Sequence, residues 1–368
     1  MEKKEKKEYV SASQWTLMWW KFKKHKLAIF AGVILILLYT VAIFCEFVAP
    51  YDPAKVYENM VYYEPVKIHF KDSGGNFSLR PFVYGVKQER NMETLKMEFK
   101  EDFNRKYPVY FFTSGDPYKL WGIIPATVHL FGLKDTDHRI YLWGSDKHGR
   151  DFFSRVVHGS RISLSVGIVG MLFSFTLGII MGGISGYFGG MTDTVIQRII
   201  EFIRSIPTIP LWLALSASLP KGWSPLQVYF GITLLLSLIG WTSLARVVRG
   251  RLLSLKNEDY VMAAKMSGTS EMGIVLKHLV PSMLSHIIAA LTLAIPEMIL
   301  SETALSFLGL GLRYPIISWG VLLQEAQSLR AVISAPWLLF AGIMVIITVI
   351  SFNFLGDGLR DAADPYSR

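Results

Sequence analysis

Gly144-Ser145-Asp146-Lys147-His148-Gly149-Arg150 places two glycines five residues apart, the spacing of a loop that cradles phosphate. Arg150 stands where such a loop needs lysine, no serine or threonine follows as a magnesium ligand, and no strand–helix unit surrounds it. Nucleotide binding is therefore not expected of this chain. His129, His138, His148 and His158 lack ligand spacing and have no cysteines beside them, so no metal site is expected. The single Cys45 excludes an intrachain disulfide. Glu297 and Glu302 fall within or at the end of an apolar run, where a charge at the bilayer centre costs at least ~2.5 kcal/mol. Both should face protein. Either they line a solute pathway or, the reading favoured for Glu302, they accept bonds from the non-helical LGLGL backbone that follows. Arg150, Asp151 and Arg155 have two readings as well: contacts at the mouth of such a pathway, or a capped turn with surface ion pairs of little energetic weight.

The elements that hold these residues are apolar. The chain has 368 residues, mean hydropathy +0.35, 51% hydrophobic and 18% charged residues, too apolar for a soluble domain of this size. The net charge of +9 does not point to nucleic acid, because lysines and arginines flank apolar runs instead of clustering on one soluble face. Residues 1–26 carry eight lysines and Trp15, Trp19 and Trp20, a basic interfacial segment that predicts a cytoplasmic N-terminus.

A first span is predicted over 27–49, too long for a signal-peptide core and without a small-residue cleavage site. Residues 50–142 form a polar insertion, expected outside the membrane and β-rich or mixed: VKIHF and PVYFF read as strands, DSGGN and SGDP as turns, and residues 89–107 as a helix. Residues 143–356 form a core with five more spans, near 162–184, up to 219 through Pro207 and Pro210, 228–247, 284–307 and 337–355. Gly167, Gly170, Gly178, Gly182 and Gly183 suit close helix approach in the second span. Pro296 predicts a kink in the fifth. Asp193, Gln197, Glu201 and Arg204 fall at i, i+4, i+8 and i+11, one polar stripe, with Arg198 off it. Residues 357–368 make a tail, cytoplasmic by the count of six.

Between the fourth and fifth spans lies NEDYVMAAKMSGTSEMGIVLKHLVPSML, residues 257–284. Asn257 reads as an N-cap with Glu258 and Asp259 in the first turn, Gly268 as a turn, and Glu271 to Leu279 as a second helix stopped by Pro281. Ala263, Ala264 and Gly268 put small side chains on adjoining turns, a face open to a partner. A plain connector would carry the same features.

The pattern D-Y-V-x-A-A-x-x-x-G-x-S, with His278 and Pro281, resembles the cytoplasmic "EAA" loop of permease subunits of bacterial binding-protein-dependent ABC importers. Val261 or Met262 occupies the first acidic position of that name. WGSDKHGRDFFSRVVHGSRISLSVG (143–167), SETALSFLGLGLRYPIISWG (301–320) and SFNFLGDGLRDAADP (351–365) resemble further blocks of the peptide/nickel class, in the order of its second, "C-type" permease. The insertion over 54–142 is longer than compact members show.

The resemblance implies an all-α integral membrane protein with six transmembrane helices of the type I importer fold. It also implies a homologous permease partner, two ABC ATPase subunits that hold ATP and Mg²⁺, an extracytoplasmic solute-binding protein, and no cofactor in this chain. The coupling loop (249–281) would grip the ATPase through Asp259, Tyr260, Ala263, Ala264, Gly268, Ser270, His278 and Pro281. The insertion is expected to dock the binding protein. Peptide is the implied cargo, with oligosaccharide, nickel or another solute as alternatives. A secondary carrier that needs no ATPase and a membrane receptor using residues 50–150 are the rivals from other classes.

Overall fold

The computed structural model describes residues 14–90, 97–134, 138–220, 222–279, 282 and 284–363. Helix α1 (Gln14–Lys24) precedes α2 (Lys26–Ile43) and the short α3 (Cys45–Val48). Five strands follow: β1 (His69–Lys71), β2 (Phe77–Arg90), β3 (Met97–Pro108), β4 (Tyr110–Leu120) and β5 (Ile124–Gly132). The helical remainder comprises α4 (Phe152–Phe188), α5 (Gly190–Ser205), α6 (Thr208–Ala217), α7 (Pro225–Leu255), α8 (Asp259–Met266), α9 (Glu271–Ile274), a π-helical turn (Val275–Leu279), α10 (Leu284–Phe307), α11 (Trp319–Glu325), α12 (Leu329–Ser334) and α13 (Phe340–Ala363).

Among the described residues, α2, α4, α7, α10 and α13 are long and apolar enough to cross a membrane. A sixth span exists only if α5 and α6, bent by 88°, count as one. The bend has a local cause: Ile206 and Pro207 are extended (ψ 130° and 129°), and Pro207 has no N–H with which to continue α5. The helices overrun their predicted spans. Helix α4 begins ten residues before Ile162, because the Asp151 carboxylate accepts the Ser154 N–H at 2.7 Å and caps it. The break between α4 and α5 is the single residue Gly189, at φ 68°. Helix α7 starts at a capping box in which Ser224 and Gln227 exchange bonds. Helix α10 runs through Pro296.

The chain divides into two compact units. One comprises Met1–Leu37, Leu164–Leu312 and Val345–Arg368. Within it, Gly178, Gly182 and Gly186 recur every four residues along α4 and receive α7. A Cβ on Gly182 would lie 2.5 Å from the Ala245 carbonyl oxygen, so only glycine permits this approach. Asp193 ties α5 to α7 by accepting from Arg249 at 2.5 and 2.6 Å. Of the polar stripe, Gln197 donates to Ser185 and Arg204 to Ser243, and Arg198 pairs with Glu201 at 2.7 Å.

The other unit comprises Leu38–Ser163 and Arg313–Met344. It holds an antiparallel sheet of order β1-β2-β3 and the antiparallel pair β4-β5. Two local expectations are corrected here. Of residues 89–107, predicted helical, 89–90 end β2 and 97–107 lie in β3, paired to β2 (Val86↔Glu101, Gln88↔Phe99); positions 91–96 lie outside the described residues. Cross-strand partners outweigh the local pattern: Phe103 packs edge-on to Tyr84 at 4.9 Å, and Lys87 and Glu89 pair with Asp102 and Lys100. SGDP is a bulge within β4, not a turn.

Candidate functional site

Residues 257–279 form an arch between α7 and α10. Glu258, not Asn257, occupies the N-cap position of α8, with no side-chain cap bond. Gly268 then reverses the chain at φ +80°, where an L side chain is strained, and among the described residues nothing stands within 4 Å of its would-be Cβ. The Ser270 hydroxyl accepts the Gly273 N–H and starts α9. His278 lies half-buried in the π-helical turn, while Pro281 lies outside the described residues.

Helix α8 has two unlike faces. Val261 and Ala264 are buried with Val248 and Leu252 of α7, Ile274, Val275 and Leu279, and Ile287 of α10. That apolar seam fixes the arch to both long helices. Asp259, Tyr260, Met262, Ala263 and Met266 face outward, Met266 at 87% exposure. The Tyr260 hydroxyl donates to Ser282 at 3.3 Å. Of the two adjacent alanines, only Ala263 is thus available to a partner.

A cavity of about 170 Å³ in the same unit is lined by Arg204 of α5, Thr208 and Trp212 of α6, Ser243 of α7, and Glu297 and Ser301 of α10. It opens at the 88° bend, and Glu297 is exposed beside it. Glu302 is separate and fully buried. Its carboxylate accepts from the Ser306 hydroxyl (2.7 Å), whose oxygen accepts the Leu312 N–H (3.0 Å), so Glu302 holds the LGLGL turn through Ser306.

Arg150, Asp151 and Arg155 are not surface ion pairs: their exposures are 5%, 2% and 0%. Arg155 donates to Asp146 at 2.5 Å and to Glu325 at 2.6 and 3.1 Å. Arg150 reaches the same carboxylates at 2.7 and 3.2 Å. Two cations and two carboxylates therefore neutralise one another where isolated charge is expensive. Burial pushes Glu325 up, but the Arg155 hydrogen bonds and the neighbouring guanidinium charges outweigh it and hold it below its ordinary range.

Asp151 lies outside that pairing. Burial pushes its carboxyl up to about 7, opposed by its bonds with Ser154, and Oδ1 has no hydrogen-bond partner among the described residues. The folded state thus binds this proton more tightly than the unfolded chain. Its stabilisation is complete below the unfolded value near 4 and is lost as pH rises through about 7, at ~1.4 kcal/mol per pH unit between them. We expect Asp151→Asn, which keeps the cap oxygen, to be less pH-sensitive than the parent between pH 5 and 8. Parallel thermal melts in detergent across that range check it; equal slopes for the two proteins contradict it.

Sequence reasoning named Arg150 and Arg155 but missed Glu325, 170 residues from Arg155, and the buried role of Asp146. A glutamate in VLLQEAQ carries no local mark of burial.

The family model described as "Binding-protein-dependent transport system inner membrane component" matches residues 174–368, and that of the "N-terminal TM domain of oligopeptide transport permease C" matches residues 13–65. The oligopeptide transport system permease protein OppC of Bacillus subtilis is 37% identical over 245 residues, covering 66% of this chain and 77% of its own length. The dipeptide transport system permease protein DppC of Lactococcus lactis subsp. cremoris is 32% identical over 351 residues, 94% of this chain and 89% of its own. That span takes in most of the 50–142 insertion. A chain of the MetNI methionine ABC transporter, in an inward-facing conformation, aligns over 58% of this chain and 97% of its own with a TM-score of 0.45 and 20% identity. With its membrane-length helices and with more than half of its residues matched, the chain belongs to the family of binding-protein-dependent transport system inner membrane components.

Proposed function

We propose that this chain is one permease subunit of an ATP-driven ABC importer that moves oligopeptides or dipeptides across a bacterial cytoplasmic membrane by alternating access. It pairs with a homologous permease, receives cargo from an extracytoplasmic binding protein that docks on the 50–142 insertion, and is driven by two ATPase subunits that hold ATP and Mg²⁺. Both termini lie in the cytoplasm. The observation that carries this reading is the two-faced α8: its inner face is sealed to α7 and α10, so a push on its outer face moves both long helices as one body. The relatives' names, oligopeptide and dipeptide permeases, support the cargo. The cavity beside Glu297 at the α5–α6 bend suits a pathway, with a carboxylate able to meet a peptide's amino terminus.

The test is uptake of labelled peptides into proteoliposomes holding the partner permease, the ATPases and the binding protein. Gly268→Leu should abolish uptake while membrane insertion is retained, and Gly268→Asn should keep most of it, since asparagine tolerates the left-handed backbone of +80° and no neighbour is crowded. Normal uptake by Gly268→Leu, or gradient-driven uptake without ATPases, would sink the proposal.

A further inference from the structure

The tip of the β4–β5 hairpin is apolar. Trp121, Gly122 and Ile123 close it, with Leu120 paired to Ile124. Trp121 is held at φ 53°, a conformation bulky residues rarely adopt, and Gly122 follows at 74°. The turn presents apolar surface to the outside: Trp121 and Ile124 are 49% exposed and Ile123 is 79% exposed. At the start of β4, away from the tip, Phe111 and Phe112 are 64% and 68% exposed. Among the described residues Trp121–Ile124 are uncharged, and the exposed Lys119 beside them can carry its ammonium to a headgroup.

The tip is also fixed in position. The Trp121 indole N–H donates to the carbonyl of Ile43, the last residue of α2, at 2.8 Å, and its ring lies 5.8 Å from that of Phe44. Phe112 lies 6.1 Å from Phe47 in the same way. Arg161 donates to the Ala42 and Ile43 carbonyls as well. The C-terminal carbonyls of a membrane helix have no partner within the helix, and hydrocarbon supplies none. Trp121 thus serves two ends: it caps α2 and holds the tip level with the end of that helix. The 18 residues of α2 span about 27 Å, close to the ~30 Å of a hydrocarbon core, so its end marks the boundary of acyl chains and headgroups. Tryptophan is concentrated at that boundary.

We propose that the Trp121–Ile124 tip is an interfacial anchor, its indole and isoleucines seated in the lipid leaflet in which α2 ends, so that the insertion is held to the bilayer at a second point. Lipid is favoured over a protein partner because the tip is continuous with the exposed apolar end of α2 at Ile43 and Phe44, and the charges beside it, Lys119 and the Arg161–Glu46 pair, are placed as at a headgroup boundary.

Cys45, the only cysteine, is buried, so Ile123→Cys creates one accessible thiol in the full chain, and Leu79→Cys, at an 89% exposed position on β2, provides a reference. Both are spin-labelled in lipid nanodiscs, with and without the partner permease. At 123, the ratio of collision with oxygen to collision with a water-soluble nickel chelate should be severalfold higher than at 79. An equal ratio at the two positions overturns the anchor. Shielding of position 123 from both agents also overturns it, because a protein surface then covers the tip.

Discussion

ATP-driven uptake should fall to background when Ala263 is replaced by arginine, in a protein that inserts and unfolds as the parent does. Ala263 is exposed on α8, so a long charged side chain there leaves the fold untouched, within about 0.5 kcal/mol for a surface substitution. It would nevertheless stand in the face proposed to meet the ATPase. A docking loss of even ~1.4 kcal/mol weakens that complex tenfold. The neighbouring position provides the control. Ala264 is buried against Val248, Leu252 and Val275, so Ala264→Arg forces an unpaired charge into the seam and should destabilise the chain itself. Co-purification of the ATPase, peptide uptake and thermal melting separate the two outcomes. Near-normal uptake by Ala263→Arg would remove the outer face of α8 from the coupling path.

Arg155→Met should be the most destabilising single change in the unit that holds the insertion. Arg155 is fully buried, and its guanidinium bridges Asp146 and Glu325. Removing it leaves Arg150 alone against two carboxylates, and breaking a buried pair of this kind costs about 3–5 kcal/mol. Adding Glu325→Leu deletes the uncompensated charge and should restore part of the loss, leaving Asp146 paired to Arg150 at 2.7 Å. A double-mutant cycle by thermal melting in nanodiscs measures the coupling. Additive losses for the two substitutions would mean that the ion network contributes nothing as a unit.

Much of this protein is set by the sequence alone. Its apolar runs locate the membrane-length helices, because a bilayer demands long stretches without charge and such stretches are visible one residue at a time. The polar stretch between α7 and α10, its acidic start and its glycine reversal are equally local, since caps and left-handed turns depend on a residue and its immediate neighbours. Only the tertiary structure decides the rest. Residues 97–108 carry a spacing compatible with a helix, and they become a strand because β2 supplies aromatic and charged partners across the sheet. The sequence presents Arg150 and Arg155 as surface charges; Glu325, brought from a distant segment, makes them a buried network. Ala263 and Ala264 are indistinguishable as letters in the candidate site. The side of α8 that meets Leu252 turns one inward and leaves the other exposed, a distinction that depends on how helices pack and not on which residues they contain.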